Sequence, residues 1–231
     1  MFYTPAPLIF TLLTFVFILL TLWRLHRVRN RKTRTGALLQ LLVNVMASAV
    51  LFFLATWAFL SFYLKWVFLA LVILLALRAV LHILTLPRGA GIKIRLGGFI
   101  RILGVLIYGI ILGAAIHGSY YHGHETFSMQ FPFKGGTYYI MQGGSNRFLN
   151  PFHGNFSWTR YGHALDIGEV NKFGMRSSNL IPGKLSDFEI YGDTIYCPCS
   201  GKLLLAVDGV EDNEPGWMNH NQVHGNHIVI Q

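Results

Sequence analysis

Four apolar runs in the first 120 residues decide what this chain can become. Pro7 to Trp23, counted back to about Phe2, carries no charge. Ala37 to Leu64 and Trp66 to Leu86 follow, divided by Lys65, and Gly98 to Tyr120 is the fourth. About 20 apolar residues suffice for a helix to cross a bilayer's hydrocarbon core. The runs therefore predict four transmembrane helices, at about 3–23, 38–64, 66–86 and 99–120. A cleaved signal peptide is the competing reading of the first run. No basic segment precedes that run and no small-residue cleavage site follows it, which argues for a retained span.

Charge orients the spans. All ten Asp and Glu lie after residue 120, whereas twelve of the nineteen Lys and Arg lie before it. A pI near 9.8 for the whole chain would suggest a nucleic-acid partner, but the basic residues sit between apolar runs, so nucleic acid is excluded as the expected partner. Loop 24–36 holds Arg24, Arg27, Arg29, Arg31, Lys32 and Arg34, and loop 87–101 holds Arg88, Lys93, Arg95 and Arg101. Four spans put both loops on one side, and basic loops face the cytoplasm. The N-terminus and everything after about residue 120 are then extracytoplasmic. Arg78, inside the third run, reads as a snorkelling side chain or as a functional intramembrane charge. The latter is the one hint of a transport or sensor protein. Gly104, Gly109, Gly113, Ala114 and Ala115 in the fourth run would let helices approach closely.

The texture changes after residue 120. A polar, His-rich linker, 121–132, contains His122, His124 and Glu125; with His117 before it, it reads as an exposed juxtamembrane segment rather than a metal cluster. From 133 to 231 the pattern predicts an all-β domain with an antiparallel sheet. TYYIMQ, HALDIGEV, DTIYC, KLLLAVDG and NHIVIQ read as strands between glycine-bearing turns. Cys197 and Cys199 are too close for an unstrained disulfide and read as small strand residues.

The chemistry-bearing stretch is HGNFSWTRYGHALD, His153 to Asp166. Imidazole nitrogen with carboxylate oxygen is a partial ligand set for Zn²⁺, whose catalytic sites keep three protein ligands and one water. Asp166 lies between Leu165 and Ile167, where an unpaired carboxylate is costly; a structural ion pair and a metal ligand explain it equally well. On one regular strand, His163 and Asp166 would face opposite ways. His153, from a preceding loop, is therefore the first choice of partner. His163 is the second, conditional on a bulge, and is otherwise a rim residue. His220 and His224 in the polar loop and His227 in the last strand read as surface histidines.

GGSNRFLNPFHGN, RYGHALDIG, YGDTIYCPCSGKLLLAVDG, the DNEPG loop and GNHIVI follow one another in an order that resembles the lysostaphin-type (LytM-like) zinc metallopeptidases, bacterial peptidoglycan hydrolases. The resemblance covers about 133 to 231 and none of the membrane half. It implies a lysostaphin-like sheet, a zinc cofactor held by His153 and Asp166, and hydrolysis of peptidoglycan peptides. Two residues follow His163 before Asp166, whereas the commoner family spacing is three; twelve follow His153, matching the family's longer spacings. The family's later His-x-His pair does not follow GNHIVIQ. The third ligand and the general base are therefore expected beyond Gln231, in an apparently truncated domain. A non-catalytic relative that binds cell wall or regulates a partner wall hydrolase is the alternative.

Overall fold

The computed structural model describes residues 2–3, 6–87, 96–120, 128–150, 164–219, 221–222 and 224–231. Four long helices form the first half: α1 (Ala6–His26), α2 (Arg34–Leu54), α3 (Leu64–Thr85) and α4 (Leu96–Tyr120). All four are long and apolar enough to cross a membrane. α2 starts inside the basic loop because Thr33 is extended and its Oγ1 accepts the Gly36 N–H at 3.3 Å, satisfying a donor that the first turn leaves free.

α2 ends ten residues before the apolar run does. The Trp57 indole donates to the Phe52 carbonyl at 3.2 Å, taking up an acceptor near the helix end. Its ring is buried, 5.4 Å from that of Phe68 on α3. Residues 55–63 thus form a packed turn, which hydropathy alone reads as more membrane helix.

α2 is the central helix and touches the other three. Leu25, Val28, Ala37, Leu41, Trp57, Phe68, Val72, Ala79 and Ile83 form the core among α1, α2 and α3. α4 packs on α2. A Cβ on Gly104 would stand 2.8 Å from Val43 Cγ2, and one on Gly109 would stand 3.6 Å from Met46 Cε. Lipid is as apolar as Leu, so such close packing, rather than apolar burial, holds membrane helices together. The small-residue expectation is met at these two positions and at buried Ala115, while Gly113 faces open space. Arg78 is exposed on the outside of α3, as a snorkelling side chain would be.

Beyond α4 the described residues form short antiparallel pairs rather than one continuous sheet. β2 (Tyr138–Gln142) pairs with β3 (Asp166–Glu169), and β4 (Leu203–Val207) pairs with β6 (His227–Ile230). β1 (Phe2–Tyr3) pairs with β5 (Trp217–Met218), joining the N-terminus to the polar loop. The expected strand DTIYC does not form. The Tyr196 N–H donates to the Pro132 carbonyl and the Gln130 N–H to the Pro198 carbonyl, at 2.7 and 2.8 Å. Pro132 and Pro198 have no N–H to return, so no ladder can run along this pair. Cys197 and Cys199 consequently lie in an exposed, non-strand segment, both with free thiols.

The β-region is fixed to one end of the bundle. The Phe62 N–H donates to the Gly174 carbonyl at 2.6 Å, Ser61 Oγ to Phe173 at 2.6 Å, and the Arg176 N–H to Ala58 at 3.1 Å. Asn146 Nδ2 donates to the Ala114 carbonyl near the end of α4 at 2.6 Å. The basic turn after α1 and the start of α4 lie at the other end.

Candidate metal centre

Asp166 opens β3, and its cross-strand partner is Gln142. The register shifts between Ile140 and Gln142, so a bulge on β2 lies opposite Asp166. A bulge leaves one residue without a ladder partner and bends its strand locally. Gly168 is buried and meets Tyr139 and Met141: a Cβ there would stand 2.9 Å from the Tyr139 ring and 3.2 Å from Met141 Sδ.

The environment of Asp166 is electrostatically unusual. Its carboxylate is half-buried, and burial raises its pKa above the ordinary carboxylate range. Among the described residues, neither Gln142 Oε1 nor the Tyr139 hydroxyl, both buried, has a hydrogen-bond partner. Burial pushes the Tyr139 phenol up to about 12, with the Arg176 charge acting the other way. A half-buried carboxylate is a group that a cation would stabilise, and Asp166 is the one member of the expected ligand set that lies among the described residues.

β2 and β3 carry a second polar group across the strands from one another. Tyr138 pairs with Glu169, and the Tyr138 hydroxyl donates to Asp193 Oδ2 at 2.7 Å. This bond and partial burial hold the Tyr138 phenol at about 12. Burial, then Asp193, raises the pKa of Glu169.

His153 and His163 lie outside the described residues, as does His220. β3 begins at Asp166, and Ala164 and Leu165 before it are not strand. The choice between His153 and His163 as the partner of Asp166 thus falls outside the described residues. His227 is on β6 and its Nδ1 lies 2.9 Å from the Gly225 carbonyl; the His224 ring is 5.4 Å from it. A polar cavity of about 160 Å³ beside them is lined by Glu211, Asp212, Asn213, Asn219 and Gln222 among others. It belongs to the 210–226 loop and not to Asp166. Among the described residues, no three His, Cys, Asp or Glu side chains are grouped to hold a metal.

Sequence reasoning missed Asn150. This side chain is 1% exposed, and its Nδ2 donates to the Ala164 carbonyl at 3.0 Å. It clasps together the two ends of 151–163, the segment that contains both candidate histidines, and hands the chain to β3 beside Asp166. The Asn150–Pro151 dipeptide was the available signal, since Asn-Pro favours a turn. Comparison with protein-family models, curated proteins and solved structures found no match.

Proposed function

We propose that this chain is a membrane-anchored zinc endopeptidase-like protein acting on peptidoglycan peptides outside the cytoplasm. The observation that carries the reading is Asp166: a half-buried carboxylate at the start of β3, across from the register shift on β2. The order of motifs from GGSNRFLNPFHGN to GNHIVI supports it. So does the lysostaphin-like reading of the β-region, of which the β2–β3 and β4–β6 pairs are compatible parts.

Asp166 would supply a carboxylate oxygen to the metal. His153 would supply an imidazole, with His163 as second choice. Bound zinc supplies Lewis acidity toward a peptide carbonyl and acidifies its water. Gln142 lies across from Asp166 on the facing strand, and the Asn150–Ala164 hydrogen bond ties together the residues that flank the histidine segment. Both basic loops face the cytoplasm in this reading, so the docked β-region is held at the outer membrane surface, next to the wall.

The test is release of new amino groups from purified cell walls by the natural gene product in the presence of zinc. Release by the wild type that Asp166→Ala lowers by about 100-fold or more, the scale of losing activated water, is the expected result. Equal release by both proteins would remove Asp166 from the mechanism.

A further inference from the structure

The basic end of the bundle gathers guanidinium groups around one buried amide. Gln40 on α2 is buried, and its Oε1 accepts from Arg31 Nη2 at 3.0 Å and from Arg101 Nε at 2.9 Å. Arg31 follows the turn after α1, and Arg101 is on α4. Arg24, on the last turn of α1, is close enough for its charge to act on Arg101 together with that of Arg31. His82 of α3 ties in through its Nε2, 3.2 Å from the Arg31 carbonyl. All four helices therefore contribute to one cluster, and three of its members are permanent cations.

Nothing in the membrane half can neutralise them. Residues 1–120 contain no Asp or Glu. The described acidic residues all follow residue 165, in the region packed against the opposite end of the bundle. A helix of 21 residues, the length of α2, separates the ends by about 30 Å, which is several Debye lengths at physiological salt. Gln40 is neutral: it holds two like charges near each other without cancelling either. Each guanidinium has five N–H donors, and Gln40 engages one from each. The planar fork that remains matches phosphate oxygens. Arg27 stacks over Trp23, its Cζ 4.9 Å from the ring, and a Trp on a spanning helix marks the headgroup level. The cluster therefore lies at the depth of lipid phosphates.

We propose that Arg31 and Arg101, gathered by Gln40, hold the phosphate of an anionic phospholipid headgroup in the leaflet at the basic end of the bundle. The anion comes from the lipid, because the cluster opens at the bilayer surface and anionic lipids are concentrated in the cytoplasmic leaflet. This inference is independent of any metal chemistry at Asp166.

The full chain would be reconstituted in phosphatidylcholine nanodiscs with and without phosphatidylglycerol. Retained lipid would be read by native mass spectrometry and stability by thermal unfolding. Wild type should retain phosphatidylglycerol and unfold at higher temperature with it. Arg31→Gln and Arg101→Gln should each weaken retention about fivefold, the worth of one basic residue at an anionic surface. Arg31→Lys and Arg101→Lys should keep more lipid than the Gln variants, and Arg78→Gln should match wild type. Circular dichroism on each variant separates lost lipid from lost helix. Folded Gln variants that retain lipid like the wild type would overturn the site. Inorganic phosphate that stabilises protein in phosphatidylcholine discs as much as phosphatidylglycerol does would overturn the lipid as its source.

Discussion

Single side chains decide the chemistry, and Asp187 shows how a carboxylate differs when it is well served. Its Oδ2 accepts the Gly183 and Lys184 N–H groups at 2.8 and 3.1 Å, and these bonds hold its pKa below the ordinary carboxylate range. A lowered folded pKa contributes stability above the unfolded value of about 3.9 and loses it as pH falls through the folded value. Asp187→Asn should therefore be less stable than wild type at pH 7, with the difference vanishing in strong acid. Denaturant unfolding at both pH values checks it, and a difference that persisted in acid would contradict it. Asp166 has the opposite environment, burial without a described counter-charge. Its oddity was legible from its neighbours Leu165 and Ile167. Gln142 and Asn150 were not, because the bulge and the clasp join residues far apart in sequence.

The helices were legible because a run of apolar residues has few other uses at such length. Their ends were less so. Hydropathy cannot distinguish Trp57 in lipid from Trp57 folded back on Phe68, and the true end of α2 depends on that difference. Strands were read well where alternation and pairing agree, as at β2, β3, β4 and β6. DTIYC failed because its neighbour across space contains Pro132. Helix packing gives a sharper test. Gly104→Val drives a branched side chain into Val43 and should destabilise the α2–α4 pair by about 1–3 kcal/mol, the usual range for overpacking. Gly113→Ala meets nothing within 4 Å and should be neutral or slightly stabilising. Unfolding in mixed detergent measures both; equal effects would mean that α4 presents a different face to α2.

The whole molecule is polarised. One end carries the basic turn after α1 and the Arg31–Gln40–Arg101 cluster; the other carries the docked β-region, held by Gly174, Arg176 and Asn146. The Arg176 guanidinium lies 3.7 Å from the Phe59 ring centroid and 5.2 Å from that of Phe188, joining the turn after α2 to the β-region. The β1–β5 pair puts the N-terminus at this same end, as an even number of spans requires. Cys197 and Cys199 are the chain's two cysteines and are exposed there. With both basic loops in the cytoplasm, as proposed, a membrane-impermeant maleimide should label them in intact cells with a permeable or removed outer barrier. Labelling only after the cytoplasmic membrane is broken would reverse the orientation.

The central claim is that the β-region is built around a zinc ligand at Asp166, and metal content tests it most directly. The full chain, purified in detergent and dialysed against zinc, would be assayed by elemental analysis beside Asp166→Ala, His153→Ala and His163→Ala. The account predicts zinc in the wild type, none above background in Asp166→Ala, and a matching loss in His153→Ala, or in His163→Ala if that second-choice histidine is the partner. Asp166→Ala protein that keeps as much zinc as the wild type would contradict it.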